Sequence, residues 1–207
     1  MNISTAALLI FCLTGFYCQT GSASSYVIDT EGGHAFIQFK ISHLGYSWLV
    51  GRFNRFSGEF SYDTKKPEAS TITVVIETAS IDSNHAERDK HLRDDDFLAV
   101  KRYPEARFVG RSFTERGDGT ALLTGELTLR GVTRSIDIEI EHIGEGPDPW
   151  GGYRRGFAGK TRLVLADFGI TKYLGEAAKE MELMLGIEGI RKKSRKARGK
   201  PGGPRGR

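Results

Sequence analysis

Four side chains within ten positions have the types needed for a metal or acid–base site: Asp82, His85, Glu87 and His91. Three of them lie in the densely charged stretch 84–97, N-H-A-E-R-D-K-H-L-R-D-D-D-F. Glu87 and His91 are four apart and share one side of a helix, which suits a local charge pair. His85 and His91 are six apart, so on a helix they face different directions and do not converge on one ion. The chain contains no H-E-x-x-H, G-x-S-x-G or G-x-x-x-x-G-K-S/T, the spacings that bring zinc ligands, a strained nucleophile or a phosphate cradle together. The cluster therefore reads as helix capping and salt bridging. Asp167-Phe168-Gly169 spells a kinase tripeptide without the other kinase elements and reads as a strand end. His142 shares parity with Ile136, Ile138 and Ile140 and is expected to point inward as a hydrogen-bonded core histidine.

The elements that position these residues are strands. At 34–42, Ala35, Ile37, Phe39 and Ile41 alternate with Phe36, Gln38, Lys40 and Ser42, the period-two pattern of a half-buried strand. Gly45 and Gly51 allow bends around Tyr46, Trp48 and Val50, and a strand follows over 52–62 with Phe53, Phe56, Phe60 and Tyr62. Further alternating runs cover 70–80, 106–112, 121–130, 134–143, 153–167 and 181–190, and residues 84–97 interrupt them as a short helical insertion. In the fourth of these runs Ile136, Ile138 and Ile140 oppose Asp137, Glu139 and Glu141, and Gly131 serves the preceding hairpin. In the second run, Ala106, Phe108, Gly110 and Ser112 share one face. Evenly spaced strands with glycine-rich turns and no βα alternation predict an all-β antiparallel barrel or sandwich. About 8 to 10 strands close a barrel wide enough for a ligand. Glycines sit beside large residues on inward faces (Gly110, Gly125 and Gly159), a pattern equally compatible with a lumen and with a filled core.

The two ends of the chain differ from this body. The first 25 residues contain no Asp, Glu, Lys or Arg, and an apolar run at 6–18 precedes small residues at Gly21, Ser22, Ala23 and Ser24. That layout predicts a secretory signal peptide over 1–23, cleaved after Ala23; the alternative is a single membrane anchor, for which 13 apolar residues are short. Cys12 and Cys18 both lie in this segment, so the mature chain has neither disulfide, thiol nucleophile nor thiolate ligand. Nine of the 30 basic residues follow Ile190, leaving 21 against 26 acidic residues in positions 1–190, a net −5. The body thus gives no reason to expect nucleic acid, whereas residues 191–207, rich in Gly, Pro, Lys and Arg, predict a disordered basic tail able to touch anionic surfaces. The segment between, 24–190, is long enough for a single core.

Twelve Phe, seven Tyr and two Trp supply the apolar area of a pocket for an elongated apolar ligand with few polar groups at its entrance. Several segments carry a resemblance: H-A-F-I-Q-F-K-I-S-H-L-G-Y-S-W from His34, T-A-S-I-D-S-N-H-A-E-R-D-K-H-L-R from Thr78, D-F-L from Asp96, K-R-Y-P-E-A-R-F from Lys101, G-E-L-T-L-R-G-V-T from Gly125, D-P-W-G-G from Asp148 and L-A-D-F-G-I from Leu165. In this order, over about residues 25–190, the chain resembles the YceI family of bacterial periplasmic proteins. The resemblance implies an extended lipocalin-like antiparallel β-barrel, export to the periplasm, no established catalysis and no cofactor. It also implies binding of a polyisoprenoid or similar long-chain lipid, and a possible homodimer. The tail departs from the family, whose members usually end near Arg191.

The resulting expectation is a carrier whose lumen is lined by Ala35, Ile37, Phe39, Trp48, Phe53, Phe97, Phe108, Leu127, Ile138, Phe157 and Leu163. His85, Arg88 and His91 are expected at its mouth, against the polar head group. Hiding a few hundred Å2 of ligand chain at ~25 cal/mol per Å2 is worth on the order of 10 kcal/mol before the costs of immobilisation. The alternatives are an enzyme acting on a lipid or quinone, for which the inward pattern offers only His142 and Asp167, and a surface-interaction protein using the basic tail.

Overall fold

The computed structural model describes residues 23–172 and 175–193; the predicted signal peptide, up to residue 22, and the tail from 194 lie outside the described residues. Among the described residues eleven strands and one α-helix follow in order: β1 (Ser24–Ile28), β2 (Phe36–His43), β3 (Ser47–Phe53), β4 (Phe56–Tyr62), β5 (Thr71–Glu77), β6 (Ile81–Asp82), α1 (Ala86–Arg93), β7 (Glu105–Glu115), β8 (Thr120–Leu129), β9 (Val132–Pro147), β10 (Tyr153–Val164) and β11 (Glu180–Arg191). Antiparallel pairing runs β1-β4-β5-β7-β8-β9-β10-β11, and β11 pairs back onto β1. The result is a closed eight-stranded barrel, which leaves no sheet edge among those strands.

β11 serves two neighbours along its length. Gly189–Arg191 pair with β1, whereas Met181–Gly186 pair with β2. β2 continues to β3 and β3 to the short β6. The β2–β3–β6 extension therefore completes the wall at the end of the barrel where β1 no longer reaches. Of the segment expected to bend around Tyr46, Trp48 and Val50, the last two lie in the regular strand β3 and Tyr46 ends the turn before it. The bend falls in the three-residue turn 44–46, where Leu44 and Gly45 have φ values of 53° and 80° and the Tyr46 amide donates to the His43 carbonyl.

Two bulges alter the alternation read from sequence. Between β7 and β8, Gly110 opposes Gly125 but Ser112 opposes Thr124, so Arg111 is an extra residue. Inward parity passes from Ala106, Phe108 and Gly110 to Phe113, and Ser112 leaves the face assigned to it. Between β9 and β10, Gly156 opposes Gly144 while Phe157 opposes His142, so Ile143 is extra and exposed. Each bulge turns a carboxylate, Glu115 or Glu145, toward the barrel axis, as an unpaired residue reverses which face follows.

The glycines beside large residues are explained by filling. A Cβ on Gly125 would lie 2.3 Å from Phe108 Cζ, and one on Gly189 would lie 2.4 Å from Phe60 Cε1. Each glycine makes room for an aromatic ring lying across the neighbouring strand. Tyr26 stacks on Phe60 at 4.7 Å, Phe60 meets Phe157 edge-on at 5.8 Å, and Tyr62 contacts both Phe113 and Phe157. This aromatic cluster plugs the end of the barrel where the β7–β8 and β9–β10 turns lie. The tripeptide at 167–169 belongs to a 3-10 turn, Leu165–Phe168, closed by Gly169 with φ 72°, rather than to a strand end.

Candidate functional site

At the other end the barrel is hollow. A cavity of about 560 Å3 lies between the barrel wall, the β2–β3 hairpin and α1. β2 contributes Ile37, Phe39 and Ile41; β3 contributes Leu49 and Phe53; β8 contributes Leu127 and Leu129. Leu163 and Leu165 come from β10 and the turn after it, and Met181 and Leu183 from β11. Leu92, Phe97 and Leu98, on α1 and the segment after it, form the cover. Among the described residues its polar lining consists of Ser42, His43, Arg88 and His91. His43, Leu44 and His91 are exposed, so the cavity opens between the hairpin tip and the helix.

α1 is held over this opening by polar bonds. His85 caps it, its Nδ1 accepting from the Arg88 amide at 3.2 Å. The buried carboxylate of Asp89 accepts from the Ser83 amide at 2.8 Å and from its hydroxyl at 2.5 Å. Arg88 donates from Nε to Ser83 Oγ at 2.7 Å and from Nη2 to Ser83 O at 2.6 Å. Arg93 reaches back to the carbonyls of Ala79 and Ile81, at 2.9 and 2.6 Å. Three charged side chains of the insertion, Arg88, Asp89 and Arg93, thus fasten α1 over the opening.

Of the fourteen side chains expected at the site, the structure brings eight to the cavity: Ile37, Phe39, Phe53, Phe97, Leu127 and Leu163, with Arg88 and His91 at the rim. The other six lie elsewhere. Phe108 and Ile138 are buried in the filled part of the core. Phe157 sits at the plugged end against Phe60, Tyr62 and His142. Ala35 precedes β2 and packs against the core from outside the cavity. Trp48 is exposed, with Lys40 Nζ 4.7 Å over its ring. His85 is spent on capping. Parity along a strand identifies the inward face but not the height along the barrel axis, which accounts for Phe108, Ile138 and Phe157. Ile41 and Leu165 carried the parity signal and line the cavity; Leu92 and Leu98 carried none, because their faces depend on how α1 folds back.

The plugged end carries a polar group, Arg155, that shares the inward parity of Phe157 on β10. Arg155 is 3% exposed, donates from Nη2 to Glu145, and lies 4.0 Å over the Tyr62 ring. The Tyr62 hydroxyl donates to Glu115. Burial, reinforced by that bond, pushes the Tyr62 phenol up to about 12. His142 points inward beside Phe157, as parity implied, but its Nε2 is buried without a hydrogen-bond partner. It borders a second cavity of about 190 Å3 together with Tyr62, Glu115 and Phe157.

One cluster has the composition of a metal site: Asp29, His34 and Glu188. Arg154 already stands among them, donating from Nη1 to Asp29 Oδ2 at 2.6 Å and to Glu188 Oε1 at 2.5 Å, and from Nε to Asp148 Oδ2 at 3.1 Å. The Arg154 bond, against the opposing effect of burial, holds the Asp29 carboxyl down at about 2. The guanidinium takes the place of a cation, and the cluster ties β1, β10, β11 and the 148–152 loop together.

The sequence matches the YceI-like domain over residues 26–188. The chain belongs to the YceI-like family. A UPF0312 protein of Ectopseudomonas mendocina (strain ymp) is 57% identical to this YceI-like chain over 169 residues, 82% of the chain and 88% of the relative. One from Shewanella sp. (strain W3-18-1) is 54% identical over 174 residues, 84% and 91% of the two chains. Among solved structures, Burkholderia cenocepacia BcnA superposes with a TM-score of 0.68 at 20% identity, covering 78% of this chain and 98% of that one. A Campylobacter jejuni YCEI protein gives 0.67 at 27%, covering 74% and 91%. A polyisoprenoid binding domain from Saccharophagus degradans gives 0.58 at 16%, covering 81% and 98%. The YceI-type barrel is thus shared across sequences with little identity.

Proposed function

We propose that this protein binds a long-chain amphiphile of the polyisoprenoid class in the mouth-end cavity and carries or sequesters it in the periplasm. The carrying observation is the cavity itself: about 560 Å3 walled almost wholly by aliphatic and phenylalanine side chains, with Arg88 and His91 at the rim. That is the size and lining of a small-molecule pocket with a few orienting polar groups. Burying a few hundred Å2 of chain at ~25 cal/mol per Å2 supplies a large driving force, from which ordering of the ligand is subtracted. The polyisoprenoid class is supported by the Saccharophagus neighbour, described as a polyisoprenoid binding domain. Family membership favours binding over catalysis. The periplasmic location rests on the leader-like residues 1–23.

Native mass spectrometry of protein recovered from the periplasmic fraction of its own host tests both parts. The expected result is an N-terminus at or near Ser24 and a co-purifying lipid adduct that collisional activation releases. Intact Met1 on periplasmic protein overturns the export reading. Protein that is ligand-free and also takes up no prenol or fatty amphiphile in vitro overturns the binding reading.

A further inference from the structure

The outer face of β3 is unlike the other solvent faces of the barrel. Leu44, Tyr46, Trp48 and Val50 are 57%, 88%, 66% and 49% exposed. The last three recur at every second position, on the face opposite Leu49, which lines the cavity. A half-buried antiparallel strand normally turns polar residues to solvent, as β9 does with Asp137, Glu139 and Glu141. Here the outward residues nearest the hairpin tip are large and apolar, and the polar Arg52 comes only farther along the strand.

The tip is continuous with the cavity. Leu44 lines the cavity and is exposed on its other side. A Cβ built on Gly175 would lie 3.8 Å from Leu44 Cδ2, and one on Gly45 would lie 3.9 Å from Ala177. Whatever covers the tip therefore meets the cavity opening. Trp and Tyr combine an apolar ring with a polar edge, the chemistry that settles at the boundary between head groups and acyl chains. Lys40, held over the Trp48 ring at 4.7 Å and 3.4 Å from Glu182, places an amine at the same level.

We propose that the β2–β3 hairpin tip docks into the interfacial layer of a lipid bilayer, with Tyr46 and Trp48 as anchors, and sets the cavity mouth against the membrane for ligand exchange. The exchange step and the choice of a bilayer as occupant rest on the lipid-binding reading; the exposure of the aromatic tip does not. A bilayer is the favoured occupant because one body then supplies both the apolar surface that the tip meets and the ligand that the adjoining opening admits.

The chain has two tryptophans, so Trp150→Phe leaves Trp48 as the single reporter. The variant, beginning at Ser24 and keeping its basic tail, is mixed with vesicles of pure phosphatidylcholine in physiological salt, which removes attraction between the tail and anionic lipid. The expected result is a blue shift of Trp48 emission, loss of iodide quenching and strong quenching by doxyl groups placed near the head groups. In flotation assays the Tyr46→Ser/Trp48→Ser protein should lose vesicle binding by about tenfold or more, the scale of removing two aromatic anchors. Its equilibrium uptake of a soluble fluorescent fatty acid should stay unchanged, while its rate of acquiring the same probe from donor vesicles falls. Trp48 that stays equally open to iodide with vesicles present overturns the proposal. So does a double variant that floats like the parent, or a blue shift that tracks protein concentration without vesicles, which would assign the face to a second copy. Vesicle binding by a protein whose cavity takes no probe leaves docking standing and removes the ligand-binding reading instead.

Discussion

Arg88 offers the sharpest test of how the cavity orients a ligand. Of the five N–H donors of its guanidinium, two are committed to Ser83, through Nε at 2.7 Å and Nη2 at 2.6 Å. Those bonds fix the fork at the rim of the cavity and leave donors for an entering head group. A hydrogen bond to a charged partner contributes about 1.5–3 kcal/mol, a factor of roughly 10 to 150 in Kd. Arg88→Met keeps the apolar stem and removes the charge. Loss of the two Ser83 bonds, which also involve the charged group, costs about 1.5–3 kcal/mol each; Ser83 keeps its bonds to Asp89, and urea unfolding verifies that the variant is folded before titration. Two fluorescent probes of equal chain length, one ending in a carboxylate and one in an alcohol, are titrated into parent, Arg88→Met and Arg88→Lys. The carboxylate probe should weaken by the stated factor in Arg88→Met and by less in Arg88→Lys, while the alcohol probe changes little. Equal loss for both probes would show that Arg88 acts by shaping the cavity. No loss for either would place the head group elsewhere.

At the plugged end, Glu145→Ala strands the buried Arg155 charge and should cost roughly 2–4 kcal/mol, with recovery in Glu145→Ala/Arg155→Met, both read by urea unfolding. Gly125→Ala places a methyl against the Phe108 ring and the Val109 carbonyl and should cost about 1–3 kcal/mol, with no change in cavity binding. Asp29, held down at about 2 from 3.8 by Arg154, stabilises the fold when ionised. That contribution is complete above about pH 3.8 and is lost as pH falls toward 2. Thermal unfolding from pH 6 to 2 should therefore drop across that window in the parent, and less steeply in Asp29→Asn.

The distribution of residue types along this chain determines a good deal without any coordinates. Alternation at period two, glycine at the turns and the charged interruption at 84–97 specify an antiparallel all-β body with one short helix, since a strand can bury only every second side chain. The hairpin at Arg130-Gly131, with φ values of 51° and 75°, follows from local chemistry in the same way.

What alternation lacks is depth. Phe157 and Leu163 share a face of one strand and have the same apolar character. One fills the plugged end and the other lines the cavity, because strand position becomes axial height only when the sheet closes with its stagger. Alternation also has no means of marking an extra residue. Arg111 and Ile143 look like ordinary members of their runs, yet their bulges bring Glu115 and Glu145 to the inner face beside Tyr62 and Arg155. Trp48 is the converse case: an aromatic type suggests burial, but pairing with β2 sends it to solvent, because Leu49 takes the inward position. Side-chain chemistry along the chain sets which faces exist; the closure, stagger and bulges of the assembled sheet decide which faces meet and where space is left between them.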